Sequence, residues 1–241
     1  MPAGDSEPGA AEPGRADGAT GIGVGFCGKL PSHGDFLHRR LPAPLVGRWD
    51  DWLDAGLGAS REALGEGWRE RYLLSPIRRF AISAGCCGNE ALAGILMPSV
   101  DRVGRYYPLT IMAMLPEDSA PASLAFAATD WYAAIEELAL SCLTDGFDFD
   151  GFDARLAAMP VPTGIAVWPE ESGFACVDPE IGIEQALPAL LATLLQTGNA
   201  PYTLWWTVGA AGLGARCRAY PGLPASAAFV DLLLPPVAET G

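Results

Sequence analysis

The sequence predicts a single α/β domain, a three-layer α/β/α sandwich around a mainly antiparallel sheet, and three observations carry that expectation. Half of the 241 residues are hydrophobic and 18% are charged, a composition that sustains a core and is too apolar for a wholly disordered chain. Short apolar runs bounded by glycine and proline recur at residues 22–27, 80–84, 92–97 and 107–115, as strands joined by turns do. Helical periodicity fills stretches between and after them. Strand clusters with helices of this kind place helices on both faces of one sheet. The length suits one core, since cores stop growing somewhere past about 250 residues.

Residues 1–20 are mostly Ala, Gly, Pro and acid, with neither the basic start nor the apolar segment of a signal peptide. They read as a disordered tail, followed by the domain over 21–236 and a second short tail at 237–241. No stretch approaches the roughly 20 apolar residues of a membrane span, so no direct membrane insertion is expected and the protein is read as cytoplasmic. A first strand over residues 22–27 leads into a turn-rich loop, residues 28–35. Trp49, Trp52, Leu53 and Leu57 then fall at i, i+3, i+4 and i+8, one stripe of a helix within 44–64 whose tryptophans face the sheet. The runs at 80–84, 92–97 and 107–115 suit an antiparallel meander. Trp131, Ile135, Leu138 and Cys142 mark a second helix and residues 183–195 a third, while 164–168 and 202–208 read as later strands. The six cysteines sit in apolar segments, which favours buried thiols over bridges.

With 15 Lys+Arg against 29 Asp+Glu the net charge is −14, which argues against nucleic acid as a partner, because phosphate binding needs clustered cations. The acidity is regional. Residues 28–105 hold eleven Lys+Arg and nine acids, whereas 130–184 hold twelve acids and only Arg155, a polarity that can steer a partner onto one side.

Four local patterns invite chemistry. Gly23 to Lys29 imitates a phosphate cradle, but Leu30 stands where a Mg²⁺-binding hydroxyl is needed and Pro31 where a helix should open. Ser32, His33 and Asp35 combine hydroxyl, imidazole and carboxylate, yet neighbours along a tight loop rarely converge as a triad; turn-fixing hydrogen bonds are the simpler role. Asp145, Asp148, Asp150 and Asp153 around Gly151 imitate a calcium loop, but its first and last ligand positions fall on Gly146 and Ala157. Residues 98–108 form a linker longer than the usual hairpin turn, and its Asp101, Arg102 and Arg105 either brace the loop or present guanidinium groups to a partner. No cofactor, metal ligand or catalytic residue is assigned.

The blocks Gly28-Lys-Leu-Pro-Ser-His-Gly-Asp-Phe36, Trp49-Asp-Asp-Trp-Leu53, Pro98-Ser-Val-Asp-Arg-Val-Gly-Arg105 and Leu204-Trp-Trp-Thr207 occur in an order that resembles the TagF family, also called ImpM. The resemblance spans roughly residues 22–234, although 116–201 carries no matching motif. It implies an α/β/α sandwich without known catalytic activity, an accessory protein of the bacterial type VI secretion system that represses it after translation. The implied partner is the system's forkhead-associated scaffold protein, and the implied setting its threonine-phosphorylation pathway. On this reading the 32–36 and 101–105 loops meet near the sheet ends and bind a partner or shape the surface that does. The candidate residues are Ser32, Asp35, Phe36, Asp101, Arg102 and Arg105, with Trp49 and Trp206 as packing or exposed aromatic anchors. The alternative is a small hydrolase or nucleotide-dependent switch built on Lys29, Ser32 and His33. A third option makes all four blocks architectural and moves binding to residues 130–184.

Overall fold

In the computed structural model, seven strands form one sheet in the order β2-β1-β5-β4-β3-β8-β9, with every neighbouring pair antiparallel. The strands are β1 (Val24–Gly28), β2 (Leu37–Arg39), β3 (Arg78–Ile82), β4 (Leu92–Met97), β5 (Leu109–Met114), β8 (Tyr202–Thr207) and β9 (Arg216–Pro221). A separate two-stranded ribbon pairs β6 (Trp168–Glu170) with β7 (Gly173–Ala175). The structure describes residues 23–117, 119–164, 168–170, 173–175, 188, 192–193, 195, 200–208 and 215–233. Both tails and most of the helix expected at 183–195 lie outside the described residues, as does most of the strand expected at 164–168.

The expected meander is present as β3-β4-β5 at the centre of the sheet. Burial explains the strand sequences: β3 and β4 are buried at every position and β5 at all but its last, so they read as continuous apolar runs. At the edge, β9 alternates half-buried and exposed residues, the pattern of a strand with one wet face. Gly94 sits mid-sheet because a Cβ there would lie 2.3 Å from the Ile111 carbonyl oxygen and 2.7 Å from Phe80.

Successive strand residues point to opposite faces, and two cores result. On one face, Cys27, Phe80, Met112 and Trp205 pack with helix α1 (Ala43–Leu64), the short α2 (Trp68–Leu73), and Phe229 and Leu232 at and after a 3₁₀ turn (Ser226–Phe229) that runs into α6 (Val230–Leu233). The Trp49-Trp52-Leu53-Leu57 stripe carries this contact, as its spacing predicts. On the other face, Phe26, Ala81, Ile111 and Trp206 pack with α3 (Leu124–Ala127), α4 (Thr129–Ser141) and α5 (Phe149–Ala157). The three-layer sandwich is therefore borne out. Among the described residues no helix is long and apolar enough to cross a membrane, and the five described cysteines are free thiols.

One buried ion pair fastens α4 to the sheet. Arg79 of β3 donates two hydrogen bonds to Glu136, at 2.8 and 2.7 Å, with its guanidinium also 5.5 Å from the Tyr132 ring centroid. Both side chains are largely buried, 5% and 18% exposed. Glu136→Gln keeps the shape but withdraws the charge facing Arg79, and is expected to cost about 2 kcal/mol in urea denaturation, the scale of a hydrogen bond to a charged group. A change below about 0.5 kcal/mol would show that the pair contributes little.

Candidate functional site

The site is made by two loops that flank β1 and β5. The first follows β1 and runs from Lys29 to Phe36; the second joins β4 to β5 over residues 98–108. Gly28 allows them to approach: its φ is +129°, and a Cβ there would stand 2.1 Å from the Pro108 carbonyl oxygen, so only glycine fits. The apparent phosphate cradle is thus a strand ending in a close backbone crossing. Lys29 does not face an open anion site, because its Nζ donates to Asp101 Oδ2 at 3.0 Å.

Asp101 is the hub. Its side chain is fully buried, and its Oδ1 accepts the backbone N–H groups of Val103 (3.0 Å) and Arg105 (2.9 Å). Its Oδ2 accepts Lys29 Nζ and, at 2.6 Å, Arg105 Nε. Burial by itself would push the carboxyl up. The Arg105 N–H, the Lys29 ammonium, the Arg105 guanidinium and the Val103 N–H outweigh it and hold Asp101 well below the usual carboxylate range. The loop closes on itself through Asp101 N–H to the Arg105 carbonyl and Gly104 N–H to the Asp101 carbonyl, both 3.0 Å.

Besides the Lys29–Asp101 pair, three hydrogen bonds join the loops. The Arg102 N–H donates to the His33 carbonyl at 3.0 Å, and the Arg105 guanidinium donates to the Gly34 carbonyl. Ser99 completes the set by donating from Oγ to the Lys29 carbonyl at 2.7 Å. Beneath them Tyr72 of α2, fully buried, donates to the Ser99 carbonyl and accepts the Ser99 N–H, each at 3.0 Å. At the far end Tyr107 donates to Asp50 of α1, while Phe36 meets the Tyr107 ring edge-on at 5.6 Å. Burial, then the hydrogen bond to Asp50, push the Tyr107 phenol far above its ordinary value, so it stays a neutral donor.

The structure therefore brings Ser32, Asp35, Phe36, Asp101, Arg102 and Arg105 onto two adjoining loops. Ser32, Asp35, Arg102 and Arg105 are exposed, and Val103 between the arginines is 65% exposed. The two tryptophans stand apart from this ridge. Trp49 is fully buried under α1, and Trp206 is buried on the opposite face of the sheet, 4.9 Å from Tyr132. Neither presents a ring to a partner: α1 needs its apolar stripe against the sheet, and adjacent residues of β8 must face opposite ways.

Ser32 Oγ and His33 Nδ1 are hydrogen-bonded at 2.8 Å. The imidazole lies 4.7 Å from the Phe149 ring, and among the described residues no carboxylate is hydrogen-bonded to its other nitrogen. Tyr72 was not legible as part of the site. The signal was present in the i, i+4 pair Trp68 and Tyr72, which stack at 4.9 Å. The acidic segment resembling a calcium loop has local duties instead: Asp148 caps α5 by accepting the Gly151 N–H at 3.1 Å, and Asp153 pairs with Arg40 at 2.6 Å.

Fold and site together define an antiparallel α/β/α sandwich that carries two interlocked surface loops at one end of β1 and β5. Over residues 25–159 the chain matches the TagF N-terminal domain, described as type VI secretion system-associated; it belongs to this family. It is also similar to PA0076 from Pseudomonas aeruginosa PAO1, known from a crystal structure, with 38% sequence identity and a TM-score of 0.74. That likeness covers 88% of this chain and 94% of the other. No curated protein gives a match.

Proposed function

We propose that this protein is a non-enzymatic regulator that represses type VI secretion in the cytoplasm by binding a component of the system such as its forkhead-associated scaffold protein. Family membership supports the association with the secretion system. The observation that carries the binding reading is the condition of Asp101: all four of its hydrogen bonds hold the ridge in shape, which leaves Arg102, Val103 and part of Arg105 displayed on a stiff frame. Such a preformed surface suits recognition, because little conformational freedom is lost on binding.

A pull-down from secretion-competent cells tests this. Arg102→Ala is expected to reduce capture of the scaffold about tenfold, the loss of one well-placed guanidinium contact, and Arg105→Glu to abolish it. Unchanged capture in both variants would move the binding surface to the acidic residues 130–184. The Ser32–His33 hydrogen bond favours one competing reading, a small hydrolase. Turnover of a phosphoester, acyl or nucleotide substrate by purified protein, lost in Ser32→Ala, would replace the regulatory reading with that one.

A further inference from the structure

Beside the ridge runs a groove of about 650 Å³ between the end of α1, α2 and the 98–108 loop, lined by Arg61, Glu66, Trp68, Arg69, Arg105 and Tyr106. Its floor is aromatic and fixed. Trp68 stacks on Tyr72 at 4.9 Å and meets Tyr106 edge-on at 5.6 Å, while its Nε1–H donates to Ser60 Oγ at 2.8 Å. On this floor lie two guanidinium groups: Arg61 is 4.6 Å from the Trp68 ring centroid and Arg69 5.8 Å from that of Tyr106.

Both arginines are exposed, and among the described residues neither guanidinium has a hydrogen bond or an ion-pair partner. A guanidinium held over a ring by cation–π attraction keeps its N–H groups for a partner and loses part of its freedom to swing. Arg105 commits Nε to Asp101 and one terminal nitrogen to Gly34, which fixes its position at the groove wall. Among the groove's lining residues three cations stand with one carboxylate, Glu66; Arg105 is already paired with Asp101 and Arg61 also lies in the field of Asp54, so Arg61 and Arg69 carry the positive charge left for a ligand in a chain of net charge −14.

We propose that this groove is a docking site for an acidic segment of a partner protein, a short run of Asp and Glu side chains held by Arg61 and Arg69 with Arg105 at the wall. The forked donors of a guanidinium match a carboxylate in two-point contact. The volume lies in the range of ordinary ligand pockets, about 300–1,000 Å³, enough for a few side chains. The strongly acidic remainder of the molecule repels extended polyanions such as nucleic acid or an anionic membrane, whereas a short segment meets only the local positive field. The inference concerns what the groove holds and stands apart from the regulatory reading.

Fluorescence anisotropy of a labelled peptide carrying six Asp and Glu residues, with an Asn/Gln peptide of equal length and a single-stranded oligonucleotide as comparators, tests it on the full chain. The acidic peptide is expected to bind at least tenfold tighter than either comparator and to weaken as salt rises from about 50 to about 200 mM. Arg61→Ala and Arg69→Ala should each weaken it about tenfold. Glu66→Gln, which leaves every arginine in place and so guards against folding defects, should tighten it two- to threefold, on the order of one removed like charge. No binding at millimolar peptide, equal binding of the neutral peptide, preference for the oligonucleotide, or indifference to all three variants would each overturn the proposal. Arg102 and the scaffold do not enter this assay, so its failure and a failure of scaffold capture are separate results.

Discussion

Trp49→Ala is expected to lower the stability of the fold by about 3–5 kcal/mol, the cost of emptying a large buried aromatic site. Trp49 has no exposed surface, and its ring lies 4.8 Å from Trp52, 5.2 Å from Phe80 and 6.3 Å from Trp205, nearly parallel to the last. Trp52 in turn meets Trp205 at 5.4 Å and Phe229 at 5.3 Å, so the cavity would open at the centre of an aromatic cluster that joins α1, two strands and the turn before α6. Its Nε1–H also donates to Thr110 Oγ1 at 2.9 Å inside the core. Trp49→Phe keeps most of the ring volume and loses that bond, and should cost about 1–2 kcal/mol. Urea unfolding followed by circular dichroism separates the two. A loss below about 1 kcal/mol for the alanine variant would mean that the cluster is not the main anchor of α1.

Asp101→Asn should leave the sandwich folded and release the ridge. The amide still accepts one or two bonds, but it withdraws the carboxylate shared by Lys29 and Arg105, which then confront each other across a gap with Lys29 largely buried, its side chain 14% exposed. Amide exchange at Val103 and Arg105 should accelerate at least tenfold, about 1.4 kcal/mol of local opening, and capture of the scaffold should fall with it. The same hub predicts a pH profile. Because its folded pKa lies below the unfolded value, near 3.9, the contribution of Asp101 to stability is complete above that value and is lost as pH falls through the folded one. Protection of the loop amides, corrected for intrinsic exchange, should stay flat from about pH 8 to about pH 5 and decline only below about pH 4. Loss of protection near neutrality would show that another group holds the ridge.

What was legible in the chain followed burial. The strands β1, β3, β4, β5 and β8 and the helices α1 and α4 announce themselves through apolar runs or a 3.6-residue stripe, since each buries much of its surface. The elements not anticipated write weaker patterns. The three-residue edge strand β2 is half-buried or exposed throughout, and β9 alternates arginine with small or aromatic residues. The segment that opens α5 reads as an acidic loop because its cap and its ion-pairing residue are both aspartates. The ridge itself was half legible: residues 32–36 and 101–105 could be singled out, whereas Tyr72 beneath them could not, and of the two roles open to Trp49 and Trp206 burial leaves packing.

The sequence by itself determined the layered architecture, because strand alternation and helical periodicity are local properties that neighbouring residues write together. It also determined which polar residues lacked an obvious local task. Only the tertiary structure decided what those residues do. Lys29 meets Asp101 across 72 positions of chain and Arg105 meets Gly34 across 71, and no periodicity records a contact made by folding a sheet back on itself. Whether a charge braces a loop or faces solvent is set by which distant partner lies within hydrogen-bonding reach.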